Sequence, residues 1–236
     1  MHTRAVAGRD RGFYGPSMMK VLYLYGGWPG HGPYTVAEWA RSLMSELDFE
    51  VSEINDPHLL EEDLTGYDLI VVGWTQATTT EDLTDRAEAR LHEAVLGGTG
   101  LAGWHGMTAS FRSSLQFSLI SGASFLEHPG GEGTPVPYRI VITDHDHPIA
   151  RGVKDFDIAS EQYYMHVDPS AHVLATTTFS GEHFPWLEGV VMPAAYTHTW
   201  GEGRVFYATP GHVPAELSLP DVERLVSQGL RWAARG

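Results

Sequence analysis

The sequence predicts an α/β fold built on an open, mostly parallel sheet with helices on both faces. Short apolar runs of strand length alternate with stretches whose apolar residues recur every three or four positions, the signatures of strand and helix respectively. Glycine or proline punctuates most of the changes between them. Strands alternating with helices at this spacing require crossover connections, and so a parallel sheet covered on both sides. With 236 residues the chain is long enough for one large, well-filled core and short of two ordinary domains.

Residues 20–25 (KVLYLY) form a nearly continuous apolar run ending in Gly26-Gly27, the pattern of a strand buried on both faces. After a loop rich in glycine and proline, Val36, Trp39, Ala40, Leu43, Met44 and Leu47 mark one face of a helix. It starts near Pro33, a residue suited to a first turn. Residues 49–54 read as a strand and 67–73 (YDLIVVG) as a more central one. Leu83, Ala87, Leu91, Ala94 and Val95 give the next helix, which Gly97-Gly98 stop, and residues 101–104 make a further strand. The second half is less regular. Residues 136–143, 172–179, 190–196 and 205–209 read as strands between long loops, and Val222, Leu225, Val226 and Leu230 place a last helix after Pro220. No repeat, low-complexity tract or charged linker divides the chain, so residues 18–236 are expected to form a single domain. Residues 1–17 offer little apolar area and read as a disordered, removable extension. They also lack the apolar core of a signal peptide, which points to a cytoplasmic protein.

Composition excludes several kinds of chemistry. The chain has no cysteine, which removes disulfides, thiolate metal sites and thiol nucleophiles together. Its formal charge of −15 repels phosphate backbones and anionic bilayers, so neither nucleic acid nor membrane is an expected partner. No apolar run approaches the roughly 20 residues that cross a bilayer. A small neutral ligand fits better, and homo-oligomerisation is left open.

Ligands of an open parallel sheet sit outside the carboxyl ends of its strands. Three of the thirteen histidines fall there: His31 in GGWPGHG, His105 after the strand ending at Trp104, and His212 in PGH. Gly103-Trp104-His105-Gly106 has the strand, sharp turn and small neighbours of a nucleophile elbow, but presents an imidazole, suited to proton transfer or metal ligation. Trp28, Trp74, Trp104 and Trp200 lie at or near strand ends, and an indole offers an apolar face with one donor, a combination suited to sugar rings. Asp144-His145-Asp146-His147 alternates carboxylates and imidazoles but follows a strand into an exposed segment, and reads as a structural turn. No H-E-x-x-H, P-loop or dinucleotide fingerprint occurs.

The order of LAGWHGMTASF, SLISGASFLEHPG, VITDHDHPIARGVKDFDIASEQYY and GRVFYATPGH resembles the ThuA-like, or trehalose-utilisation, family, a branch of the class I glutamine amidotransferase-like superfold. The resemblance runs from about Lys20 to the C-terminus. It implies a flavodoxin-like sheet with His105 at the elbow in place of the amidotransferase cysteine, and it places His212 near where a relative's catalytic histidine lies. The family carries an acidic residue beside a glutamate where this chain has Ser160-Glu161, so a paired carboxylate is not expected. Glu161 remains the candidate carboxylate, because it follows the strand-like residues 156–158 and adjoins Tyr163-Tyr164.

The resemblance implies a role in carbohydrate metabolism, on a disaccharide or keto-sugar derivative. His105 and His212 are expected to act as acid and base with Glu161 orienting one imidazole, while His31, Trp28, Trp104, His128, Tyr163 and His166 line the sugar pocket. A divalent ion such as zinc or manganese held by some of these groups is a variant of the same reading. The alternative is a non-catalytic binding or interaction module on a scaffold that has lost its nucleophile. Glutaminase chemistry is excluded because the thioester route needs a thiol.

Overall fold

The computed structural model describes residues 18–76 and 82–235, so the expected extension over 1–17 lies outside the described residues. The first half follows the sequence pattern: β1 (Lys20–Gly27), α1 (Pro33–Glu46), β2 (Glu50–Ile54), β3 (Leu69–Thr75), α2 (Asp85–Leu96) and β4 (Gly100–Trp104). Then come α3 (Leu115–Ser121), β5 (Ala123–Glu127), β6 (Val136–Ile142), β7 (Phe156–Ser160) and β8 (Tyr164–Val167). The chain closes with β9 (His172–Thr178), β10 (Val191–Trp200), β11 (Gly203–Ala208), α4 (Pro214–Leu217) and α5 (Pro220–Ala233).

Nine strands form one sheet in the order β2-β1-β3-β4-β11-β10-β9-β6-β7, and β5 and β8 pair separately. β2, β1, β3, β4 and β11 are mutually parallel. β10, β9, β6 and β7 continue the sheet as an antiparallel wing. The wing arises where strands are joined without a crossover helix: β10 turns straight into β11 across Gly201 and Glu202, and only antiparallel neighbours can be joined so tightly.

Alternation along the central strands divides the core into two layers. Val21 and Tyr23 of β1, Leu69 and Val71 of β3, and Phe206 and Ala208 of β11 pack with α1 and α5. Leu22, Leu24, Ile70, Val72, Val205 and Tyr207 point the other way, onto α2, α3 and the β5–β8 pair. Successive side chains of a strand face opposite sides, so continuous apolar runs are required where both sides are covered. α5 lies close to the sheet: a Cβ on Gly229 would come within 2.2 Å of the Phe206 ring.

The elements that sequence periodicity misses are α3, β5, β8 and the four-residue α4. α3 has seven residues and leaves Leu115 and Leu119 exposed, so its apolar residues carry no helical stripe. Its start is fixed by Ser114, whose hydroxyl accepts from the Phe117 amide at 2.8 Å.

Candidate functional site

The carboxyl ends of β1, β3, β4 and β11 lie side by side, and the order β2-β1-β3 places the reversal of strand order between β1 and β3, where clefts form in open sheets. The loop after β1 carries Trp28 and His31. β3 ends in Thr75, β4 runs directly into His105, and β11 is followed by Thr209 and the Gly211-His212 pair. His105 has φ +41, in the left-handed region, as the strand turns sharply into a short 3-10 helix. This turn needs Gly106 beside it, since a Cβ there would overlap the Thr75 hydroxyl.

Glu161 reaches the same point from the far wing. Residues 161–163 link β7 to β8, anchored by the Gln162 side-chain amide donating to Thr177 Oγ1 at 2.8 Å and the Tyr138 hydroxyl donating to the Glu161 carbonyl at 3.4 Å. Glu161 Oε2 then lies 3.2 Å from His105 Nε2, 3.3 Å from His212 Nδ1 and 3.6 Å from His31 Nε2. His212 Nδ1 and His105 Nε2 are 3.3 Å apart. One donor atom from each of His31, His105, Glu161 and His212 falls within 4.8 Å of the others. Among the described residues this is the one such cluster of histidine and acidic donors.

Each member is held from behind. His105 Nδ1 donates to the Thr209 carbonyl at 2.9 Å, which leaves the Nε2 lone pair facing the cluster. His31 Nδ1 meets the Thr75 hydroxyl at 2.8 Å. The other carboxylate oxygen of Glu161 accepts the Gly133 amide at 2.7 Å, so Oε2 is left to the histidines. His212 is fixed through its backbone: Glu216 Oε2 accepts its amide at 2.9 Å, the Gly211 amide at 3.1 Å and the Ser160 hydroxyl at 2.8 Å. Such outer partners set imidazole tautomer and orientation.

Burial holds His105 neutral, lowering its pKa to about 4 despite the Glu161 carboxylate beside it, and burial lowers His31 in the same way. His212 also loses hydration, but its hydrogen bond and charge contact with Glu161 outweigh that loss and raise its pKa. Burial disfavours the charged form of Glu161, yet the imidazoles gathered around it hold its carboxyl well below the usual range. The set is therefore an ionised carboxylate among imidazoles of which burial biases two toward the neutral form, the protonation that a cation requires of such ligands.

Besides a small cavity of about 20 Å³ among His31, Trp104 and His105, two larger ones are lined by members of this cluster. The first, about 190 Å³, is polar, with Trp28, Phe125 and Tyr163 as aromatic walls and Gln76, Arg112, His128 and Glu132 between them; His31 and Glu161 close its floor. The second, about 640 Å³, has mostly apolar walls and reaches Glu161 and His212 from the other side.

Of the residues expected around a sugar, Trp28, His128 and Tyr163 line the first cavity, and His31 joins the donor cluster at its floor. Tyr163 lies against the His105 ring with centroids 4.4 Å apart, and Trp28 meets His31 edge-on at 4.7 Å. Two expectations need correction. His166 is exposed on β8, where strand alternation turns it away from buried Met165, and it lines neither cavity. Trp104 is buried against Tyr23 and Trp39, and lines neither of these two cavities but a small one of about 20 Å³ shared with His31 and His105. Trp200 packs on His92 of α2, away from these residues. Asp144 accepts the Asp146 and His147 amides and pairs with His172 at 2.7 Å, the structural turn expected of that run. Sequence reasoning missed Thr75, Gly133, Glu216 and Arg112. Only Glu216 left a signal, four residues after His212 at the start of a helix.

Fold and cluster together define a class: a doubly covered α/β protein with three imidazoles and a carboxylate converging at the strand ends. The family model described as ThuA, trehalose utilisation, matches residues 20–233, and the chain belongs to that family. Among solved structures it is similar to a putative ThuA-like protein from Parabacteroides merdae, with 18% identity, TM-score 0.76 and coverage of 92% of this chain and 90% of that one. A second putative ThuA-like protein, from Bacteroides uniformis, gives 19% identity, TM-score 0.73 and 95% of each chain. A cytoplasmic protein from Salmonella typhimurium LT2 gives 14% identity, TM-score 0.66 and coverage of 92% and 100%. At these identities the likeness is one of fold. No curated protein matches the sequence.

Proposed function

We propose that this ThuA-family chain is a metal-dependent enzyme of carbohydrate metabolism, with one divalent transition-metal ion held by His31, His105, Glu161 and His212. The observation that carries the reading is the spacing of the donors. Four ligands about 2.0–2.1 Å from a tetrahedral ion stand roughly 3.3 Å from each other; four of the six separations here are 3.2, 3.3, 3.3 and 3.6 Å, and all six lie within 4.8 Å. Imidazole and carboxylate donors without thiolate suit zinc, manganese and similar ions.

The polar cavity above the cluster suits a disaccharide or keto-sugar, the substrate class that family membership suggests. Indole and phenol faces stack on sugar rings, and the polar side chains between them fix hydroxyl groups. When bound, the ion would supply Lewis acidity toward a carbonyl or hydroxyl oxygen of the sugar. His105 and His212, as ligands, have no lone pair left for proton shuttling on their cluster side. His128 takes that role: it lines the sugar cavity, its ring stacks with Tyr163, and its Nε2 is 3.9 Å from Glu161 Oε1. Among the described residues no helix is long and apolar enough to cross a membrane, and together with the cytoplasmic Salmonella relative this supports a cytoplasmic location.

Elemental analysis of protein purified without chelator tests the reading. It should carry close to one transition-metal ion per chain, and the double variant His105→Ala/His212→Ala none. Turnover of a disaccharide or keto-sugar should disappear on chelation and return with the ion. Metal-free protein with undiminished turnover would leave the cluster as acid and base alone. Metal-loaded protein that binds a sugar without converting it would make the chain a binding module.

A further inference from the structure

Among the described residues, Arg112 is the one arginine or lysine in the wall of the polar cavity. Its backbone is held at three successive residues. Phe111 is buried against Phe117, with ring centroids 5.0 Å apart, and has φ +49, a left-handed conformation that a bulky residue takes up only under tertiary constraint. The Arg112 amide donates to the Gln76 side-chain oxygen at 2.6 Å, and the Ser113 amide donates to Asp82 Oδ2 at 3.1 Å. The guanidinium carbon of Arg112 lies 5.2 Å from the centre of the Phe125 ring. From there aromatic contacts run to the donor cluster, Phe125 to Tyr163 at 4.5 Å and Tyr163 to His105 at 4.4 Å between centroids. Arg41, Arg90 and Arg139 pair with carboxylates, whereas Arg112 forms no ion pair among the described residues.

We propose that Arg112 receives a carboxylate of the substrate, so that the unit bound in the polar cavity is a sugar acid of the uronic acid type. This rests on the reading of that cavity as the sugar site. A guanidinium matches a carboxylate with two parallel hydrogen bonds, and contact with the Phe125 ring restricts the side chain without supplying an acceptor oxygen. The net charge of −15 favours neutral ligands at long range. Exposed charges more than about 8 Å away are largely screened at physiological salt, however, so the local cation decides what binds beside it. Glu132, in the same wall, repels a carboxylate and accepts from hydroxyl groups, which turns the ring one way round. A volume of about 190 Å³, below the roughly 300–1,000 Å³ of pockets for drug-sized ligands, suits a single sugar unit.

The test is calorimetric titration of protein purified without chelator against two matched pairs, methyl glucuronide with methyl glucoside and methyl galacturonide with methyl galactoside. For the sugar that binds, the acid should bind at least about tenfold more tightly than its neutral partner at low salt, the effect of one charge-assisted bidentate contact. That advantage should shrink at about 0.3 M salt. Arg112→Gln should reduce it to less than about threefold, and Arg112→Lys, which keeps the charge without the fork, should retain part of it. Arg112 is exposed, so both variants should fold and keep the parent's metal content. An acid and a neutral sugar bound equally by the parent would overturn the role of Arg112 and leave the sugar site standing. An acid advantage that survives Arg112→Gln would also overturn it, because another group would then hold the carboxylate. Loss of metal in Arg112→Gln would make Arg112 a support of the cluster, against the proposal. Protein that binds neither member of either pair would remove the sugar reading and this proposal together.

Discussion

At the scale of the residue, the cluster depends on groups that never touch its centre. The Thr75 hydroxyl bonds His31 Nδ1 at 2.8 Å, and that contact turns His31 Nε2 toward Glu161. Thr75→Val keeps the shape and removes the bond. Losing an outer partner of this kind typically costs about 10- to 100-fold in metal affinity. Competition titration against a chromophoric chelator should show that loss, with the stoichiometry at saturating metal unchanged. Equal affinity in variant and parent would mean that packing against Trp28 alone orients His31.

At the scale of the element, packing overrides local preference in α5. Gly229 lies mid-helix, where alanine is better by roughly 1 kcal/mol. Its Cβ, however, would meet three atoms of the buried Phe206 ring at 2.2 to 2.4 Å. Overpacking a close-fitted core costs typically 1–3 kcal/mol, so Gly229→Ala should destabilise the protein by about that much in urea unfolding despite the gain in helix preference. A rise in stability would show that α5 can shift outward from β11. The same tension explains which elements were legible. α1, α2 and α5 lie along the sheet and carry unbroken apolar stripes, whereas α3, β5 and β8 take their form from capping and pairing partners distant in sequence.

At the scale of the whole molecule, the site couples folding to protons and, on the proposed reading, to metal. In chelated protein, His105 and His31 fold with lowered pKa values, so below about 6.5 the unfolded chain binds protons that the folded chain refuses. Their contribution is intact above pH 6.5 and is lost as pH falls toward 4, the value to which His105 is lowered. His212, raised by Glu161, acts in the opposite sense: its contribution is complete below 6.5 and fades as pH rises through its folded value. Glu161, held low by the imidazoles, adds to the loss at acid pH, and Glu216, raised by burial, opposes it. With His105, His31 and Glu161 acting against His212 and Glu216, chelated protein should melt at progressively lower temperature from pH 7 to pH 4.5. Restoring metal at pH 7.5 to 100 times its Kd should add about 2.7 kcal/mol, or roughly 5–10 °C for a chain of this size. A chelated protein whose melting temperature is flat across that range would contradict the burial of neutral imidazoles.

By itself the sequence determined the layers and the histidines. Period-two and period-3.6 patterns are local, so β1 to β4, α1, α2 and α5 follow from neighbours within a few residues. His31, His105 and His212 stand out because each lies at or within four residues of the end of a strand, and a parallel sheet puts such positions at one end. Only tertiary structure decided the rest. The antiparallel wing depends on how strands pair over long separations, which hydrophobic periodicity does not encode. Glu161 joins the histidines because that wing returns it across the sheet, 56 residues from His105 in sequence. His31 becomes a member of the donor set and His166 an exposed strand residue because of side-chain direction. That is set by register and by the +41° φ of turns such as the one at His105, and no local pattern of residues records either.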